Sequence, residues 1–431
     1  MRVAIIGAGA AGCFASIVLK RIMPTAVVDI YEGGIRPLAK VSVTGGGRCN
    51  LTNSFNKVRS IAEVYPRGER IMKRLLREFS NNDACRWFEA AGVKLLTQED
   101  ECVFPVSQDA MEIVNCLLGL IRKHGISLHT RHKVMSISHL TYVDESHDAL
   151  RCDEKCPSAG RGFYRISFAD AMQKTVEADV VVVTTGGSQR SDSLQFVGPL
   201  LLDIVPPVPS LFSFCLSDKS VREMTGTVVE NASVSLAGTK LRSHGALLIT
   251  HWGMSGPAVL KLSSYAARHL SDTGYKGTLL VNWLGYSSEQ EAMQMLADMA
   301  QDNPQKMLCS VYPQQLNSRL WTYLLLKSGL NSSMRWGELG RKGYNKLVNT
   351  LTNDQYEVTG KNRFKEEFVT CGGVSLTNVS SKTLECKSHE GLYFAGEVLD
   401  IDGITGGFNL QAAWSMAHTV AHGIAGKYGD K

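Results

Sequence analysis

The sequence predicts an α/β fold, a Rossmann-like domain interrupted by an inserted β-barrel and a helical unit. Three observations predict it. An apolar strand at the N-terminus runs into Gly7-Ala8-Gly9-Ala10-Ala11-Gly12 and then into a helical pattern. A second strand, glycine-rich turn and helix recur near the C-terminus, from Leu392 onward. Between them the alternation of strands and helices stops at Pro206-Pro207-Val208-Pro209, and short strands and then helices follow.

The first element is the strand Val3 to Ile6, followed by a helix from Cys13 to Lys20 and a second strand from Ala26 to Tyr31. Glu32 closes that strand, 25 residues after Gly7. This is the βαβ spacing of a dinucleotide fingerprint. Gly7 permits the tight turn, Gly9 lets the backbone approach a pyrophosphate, and Gly12 lets helix and strand pack closely. The amides of Ala10 and Ala11 lie at the helix start, where the dipole favours an anion. Glu32 has the acceptors to bind ribose hydroxyls. A glycine-rich turn alone would be weak evidence; the strand, helix, second strand and acid around it make the reading specific.

Next comes Thr44-Gly45-Gly46-Gly47-Arg48-Cys49-Asn50-Leu51-Thr52-Asn53. Three successive glycines give a backbone able to bend around a flat ring or phosphates. Arg48, Asn50 and Asn53 add donors, and Lys40 stands just upstream. The alternative is a flexible loop with a positive tip. Helices are expected at Asn82 to Gly92 and Ala110 to Gly125, paired strands at Val134 to His139 and Tyr164 to Phe168, and one strongly apolar strand at Val176 to Thr185. That last strand ends in Gly186-Gly187, so Val134, Thr185, Gly186 and Gly187 join the candidate cofactor contacts.

Beyond the proline run, Thr227 to Ser235, Gly245 to Thr250 and Gly277 to Asn282 read as strands of a small antiparallel barrel. Ser287 to Tyr356 reads as helices, and Phe368 to Val374 returns to strand. The expected domains are 1–195, 196–285 (barrel), 286–367 (helical) and 368–431. The last carries Gly396, Glu397, Asp400, Gly406, Gly407, Phe408, Asn409 and Leu410, a turn rich in glycine and acids that leads into a helix near Asn409. Its helix start aims a second positive dipole end at a ligand.

Composition narrows the class. The chain has 431 residues, 44% hydrophobic and 20% charged, which is enough for two or three globular domains. Net charge is only +5, and the basic group from Arg67 to Arg77 reads as a solvated helix face, so no nucleic-acid partner is expected. No apolar run reaches the roughly 18 residues of a membrane span. Eleven cysteines without a Cys-x-x-Cys pattern suggest reduced thiols and a cytoplasmic protein. Cys152, Cys156 and His147 have metal-ligand chemistry, but their polar segment reads better as a loop, and no metal site is expected. The oligomeric state stays open between monomer and homodimer.

Gly7–Gly12, Gly45–Asn53, Thr250-His251-Trp252-Gly253-Met254-Ser255-Gly256-Pro257, Val369–Val374 and Gly396–Gln411 together resemble the YhiN/BaiN-type flavoproteins, also labelled aminoacetone-oxidase-like, from end to end. The resemblance implies a glutathione-reductase-like FAD-binding domain holding FAD non-covalently, and a redox activity on a small-molecule substrate. No second glycine fingerprint exists for a nicotinamide domain, so NAD(P)H is expected only as a transient co-substrate, with O2 as the other possible electron partner. Arg48, Asn50, His251 and Lys40 are the candidate catalytic groups. Two departures stand out. Glu101-Cys102 replaces the family's Gly-Arg before Val103-Phe104-Pro105, and Ser188 to Leu194 lacks the family's glycine-rich run. A non-catalytic FAD-binding sensor and an RNA-modifying flavoprotein are the competing functions.

Overall fold

The computed structural model describes residues 1–140, 162–169, 174–188, 192–362 and 369–429. Two compact units emerge, Met1–Val208 with Val369–Lys431, and Pro209–Phe368.

The first unit is built on a five-stranded sheet in the order Leu392–Phe394, Val180–Val183, Arg2–Ile6, Val27–Tyr31 and Ser127–His129, with every neighbouring pair parallel. Val3–Ile6 and Val180–Val183 are buried throughout, as strands covered on both faces must be. The helix Ala10–Ile22 packs beside the C-terminal helix Phe408–Tyr428. Phe14 on the first helix meets Trp414 on the last at 5.3 Å between ring centres, and also Phe79, Trp87 and Phe88. Burying large aromatic rings is worth on the order of 2–3 kcal/mol each, so this cluster clamps the two chain ends together.

One strand expectation needs correcting. Val176 to Thr185 is two strands, Thr175–Ala178 and Val180–Val183. The first pairs antiparallel with Phe163–Phe168, which also pairs with Val134–Leu140, whereas the second enters the parallel sheet. Asp179 sits between them, and its carboxylate accepts from Arg2 N at 2.7 Å. A continuous apolar run conceals such a change of sheet because both strands are buried.

The second unit contains a closed barrel in the order Phe214–Leu216, Gly253–Ser255, Arg242–Thr250, Val228–Leu236, Gly277–Asn282 and Asp354–Lys361. Its last strand begins inside the stretch Ser287 to Tyr356 where helices are expected. Asp354 to Val358 instead alternates buried and exposed, as a half-covered strand does. The helices Glu289–Asp302, Ser318–Lys327 and Gly340–Thr352 fall between the fifth and sixth barrel strands in sequence. They share one core with the barrel that includes Trp283, Trp321, Trp336 and Tyr356. Buried Asp354 accepts from Trp283 Nε1 at 2.9 Å and pairs with Lys327 at 2.5 Å, so its charge is compensated inside the unit.

Candidate cofactor site

The fingerprint turn is shaped by what each glycine meets. A side chain on Gly7, whose φ is +109°, would lie 2.6 Å from Thr184 O, and one on Gly12 would lie 2.1 Å from Gly7 O. Thr184 reinforces the crossing by donating from Oγ1 to Ile6 O and Gly7 O at 3.0 and 2.9 Å. Gly9 differs, because a Cβ there would have no heavy atom within 4 Å. A Cβ on Gly46, Gly47 or Gly186 would likewise meet nothing within 4 Å. Two of the three fingerprint glycines therefore serve packing, and the third borders a void in front of a helix start.

Two helix N-termini border this region without internal compensation. The helix Ala10–Ile22 starts at Gly9 with no side-chain cap and no acid in its first turn. The helix Phe408–Tyr428 starts at Gly407, likewise uncapped and without an acid. By contrast, Ser80 caps the helix Asn81–Ala90 and Asp109 caps Ala110–Lys123. Uncapped first-turn amides have their hydrogen-bonding capacity and positive dipole end available to an anion or carbonyl. The two glycine-rich turns also meet physically: a Cβ on Gly396 would lie 3.1 Å from Ala11 Cβ. Open glycine faces and two unsatisfied helix starts suit an extended dinucleotide.

The triple-glycine segment follows a short helical turn inside Ala39–Gly47, and Gly45, Gly46 and Gly47 have φ of +59°, +68° and +82°. Three successive left-handed residues demand glycine. Cys49 is also left-handed, at +61°, and is buried. Burial pushes its thiol up to about 12, which removes thiolate character at neutral pH. Beyond it, the segment is stitched to the C-terminal turn. With its amide turned to the orientation its neighbours require, Asn50 donates to Thr52 O at 2.9 Å and accepts from Gly407 N at 3.2 Å. Asn53 Nδ2 donates to Gly406 O at 3.0 Å, Thr52 Oγ1 to Gln411 Oε1 at 2.6 Å, and Trp414 Nε1 to Leu51 O at 3.0 Å. Asn409 spans its own turn, accepting from Gly403 N at 2.8 Å and donating to Gly403 O at 2.9 Å.

The structure thus gives Asn50 a visible job other than catalysis, which is to hold the second helix start in place. Arg48 lies with its guanidinium 4.5 Å from the Phe104 ring centre, and Nε donates to Gly45 O at 3.2 Å. Lys40 pairs with Glu397 at 3.3 Å and reaches Gly187 O at 3.5 Å. Glu397 also accepts from Thr370 N at 2.6 Å, so Lys40, Gly187, Thr370 and Glu397 form one cluster. Glu32 is engaged as well, by Ala8 N at 2.9 Å and Gly34 N at 2.7 Å. Each of its oxygens keeps a lone pair for a ribose hydroxyl. Beside it, His132 N donates to Glu32 O at 2.8 Å, which brings the start of the Val134 strand to the same corner. The Asp400 backbone N donates to Val374 O at 3.0 Å.

His251 belongs to the second unit, exposed on the turn between Arg242–Thr250 and Gly253–Ser255, with its ring 4.3 Å from Trp252. Cys152, Cys156, His147 and residues 189–191 lie outside the described residues. Sequence reasoning missed Thr184, Thr370 and the buried Arg67–Asp402 ion pair, in which Nε and Nη2 donate to the two carboxylate oxygens. No local pattern marks that pair, because its members are 335 positions apart. The Glu101 departure has a structural reading: φ there is +68°, a glycine-like value. Its carboxylate is held by Ser54, by Asn56 Nδ2 at 3.3 Å and by Lys57 at 3.0 Å.

Among the described residues no helix is long and apolar enough to cross a membrane. Three curated relatives align over nearly their whole length. They are a ribosomal RNA dihydrouridine synthase of Haemophilus influenzae, 27% identical over 98% of both chains, and one of Escherichia coli, 27% identical over 97% of both. The third, a 3-dehydro-bile acid delta(4,6)-reductase of Clostridium scindens, is 26% identical over 98% of this chain and 99% of that one. The HI0933-like protein Rossmann domain family matches residues 1–423. The chain belongs to that family and, like the YhiN/BaiN-type proteins it resembles, is a flavin-dependent oxidoreductase.

Proposed function

We propose that this chain is a reductase of a carbon–carbon double bond conjugated to a carbonyl, with non-covalent FAD as cofactor and NAD(P)H as a diffusing electron donor. The observation that carries FAD is the pair of uncapped helix starts, at Gly9 and at Gly407, with the glycine-rich turn that leads to the second touching the first helix at Gly396 and Ala11. The chemistry is supported by what the relatives' names share. Dihydrouridine differs from uridine by reduction of a ring double bond conjugated to a carbonyl, and a delta(4,6) 3-dehydro steroid carries double bonds conjugated to its 3-carbonyl. FAD, when bound, supplies a two-electron relay from nicotinamide to the substrate.

The chain's own groups have defined tasks in this reading. The first-turn amides of Ala10, Ala11 and Gly12 bind pyrophosphate, and Glu32 accepts from ribose. The amides of Phe408, Asn409 and Leu410 take the ring end, where negative charge is stabilised by the helix start. Glu397, already oriented by Thr370, accepts from the polyol chain. Lys40 and Arg48 are the cations available to a substrate carbonyl oxygen, where charge grows as the conjugated bond is reduced. Arg48 is exposed beside the open faces of Gly46 and Gly47.

Anaerobic mixing tests this directly. Bleaching of the flavin by NADPH or NADH, followed by return of colour with 2-cyclohexen-1-one or uridine-containing RNA and a product heavier by two hydrogens, is the expected result. Flavin that is reduced but reoxidised only by O2 would replace the reductase reading with an oxidase.

A further inference from the structure

The helix Glu69–Glu78 is built in two faces. Met72 and Leu75 are buried, and the helix packs on the C-terminal helix Phe408–Tyr428. Arg70, Lys73, Arg74 and Arg77 are spaced i, i+3, i+4 and i+7, so they share an arc of roughly 100° over about 10 Å of helix. Arg70, Lys73 and Arg77 are exposed; Arg74 is partly so and pairs with Glu78 at 3.2 Å. On this face four cations stand against one acid, Glu78, which pairs with Arg74 and leaves the charge strongly positive.

Its placement is the second observation. Residues just before the helix are fastened to the cofactor-closing turn. Arg67 forms the buried ion pair with Asp402, and Ile404 N donates to Val64 O at 2.9 Å. Gly68, at the helix start, lies so close to Ile401 that a Cβ would fall 2.6 Å from its Cγ1. Tyr65 OH donates to Phe408 O at 2.8 Å, at the first residue of the helix expected to receive the ring end of the cofactor. The cationic stripe therefore starts at the turn that borders the candidate site and runs away from it. A polyanion laid along the stripe is brought to that turn.

We infer that the Arg70–Lys73–Arg74–Arg77 face docks the phosphate backbone of a single-stranded RNA segment whose uracil is the substrate of the proposed reductase. The inference rests on that reductase reading and reverses the expectation of a merely solvated face. The stripe supplies position, not sequence choice, because phosphate contacts carry no base information.

The test uses the full-length flavoprotein and a fluorescein-labelled oligo-uridine RNA, with affinity measured from 50 to 200 mM salt. Removing three cations, in the triple variant R70Q/K73Q/R77Q, is expected to lower the slope of log affinity against log salt by about 2, at roughly 0.7 per charge on a single strand. Across that salt range this amounts to about 16-fold in the affinity change. Flavin content should match the wild type, since these side chains are exposed. The control R341Q/K342Q/K346Q, on the exposed face of Gly340–Thr352, removes the same charge elsewhere and should change the slope by less than half as much. Absence of salt-dependent RNA binding by the wild type overturns the inference. So does an equal loss in the control, or retention on anionic vesicles through the stripe with no RNA binding. Reduction of 2-cyclohexen-1-one by the same preparations reports separately on the reductase reading, so either idea can fall alone.

Discussion

Replacing Gly9 with valine separates what the fingerprint turn needs for folding from what it needs for a ligand. Gly9 has φ −85° and ψ −169°, extended backbone open to any residue. A Cβ there meets nothing within 4 Å. The ligand-free protein should therefore accept valine within about 0.5 kcal/mol, the usual range for a change that touches nothing. With FAD the outcome inverts, because the valine methyls fill the space in front of the helix start. At a cofactor concentration of 100 times Kd, a bound ligand adds about 2.7 kcal/mol of stability, or on the order of 5 °C in melting temperature for a unit of this size. Thermal melts with and without added FAD, together with flavin absorbance per mole of purified protein, measure both quantities. The wild type should gain those degrees and purify yellow, while Gly9→Val should melt like ligand-free wild type and stay colourless. A fully yellow Gly9→Val protein would refute the assignment of this void to the pyrophosphate. A ligand-free melt several degrees lower would show that Gly9 is a packing residue like its neighbours.

Gly12→Ala should fail differently, lowering the melt without FAD, because its methyl would lie 2.1 Å from Gly7 O. Glu32→Ala should weaken FAD binding by roughly 1–3 kcal/mol, read by titrating the ligand-free protein, since a charge-assisted acceptor is lost. Acid denaturation should release free FAD, because the buried Cys49 thiol is held up at about 12; flavin retained on the precipitated protein would contradict that. His251→Ala is expected to keep its flavin, because His251 is exposed on a turn of the second unit; a turnover about 10²-fold slower in the flavinated variant would mark it as a general acid–base group, and unchanged turnover as an ordinary turn residue. Burial, and then the neighbouring His422, push the His418 imidazole down to about 4. The unfolded chain thus takes up that proton first. The group's contribution to stability is intact above about pH 6.5 and is lost as pH falls towards 4. Urea midpoints across that window should fall less steeply in His418→Phe.

The βαβ unit was legible because three independent signals coincide within the first 32 residues: an apolar run, a glycine spacing and a terminal acid. The C-terminal turn was legible for the same reason. Roles set by distant partners were not. Asn50 reads as a free donor until Gly407 is placed beside it, and Lys40 reads as a free cation until Glu397 is. The strand Asp354–Lys361 was hidden because the helices before it set the expected period. Its alternation of buried Asp354, Tyr356 and Val358 with exposed neighbours covers too few residues to announce itself. Glu101 shows the opposite case, a backbone angle suited to glycine carrying a large side chain that three neighbours restrain.

The strand order of the parallel sheet has a consequence for how the chain is made. Of the strands in this sheet Arg2–Ile6 leaves the ribosome before the others, yet its neighbour Val180–Val183 is translated far later, and the edge strand Leu392–Phe394 later still. At roughly 5–20 residues per second, the nascent first strand waits on the order of 20–80 s before the sheet is complete. During that interval its apolar surface and the inner face of the first helix lack the C-terminal helix that covers them. Synthesis halted before residue 392 leaves Val180–Val183, an interior strand of the finished sheet, as an unpaired edge, the state most exposed to chaperones and to aggregation.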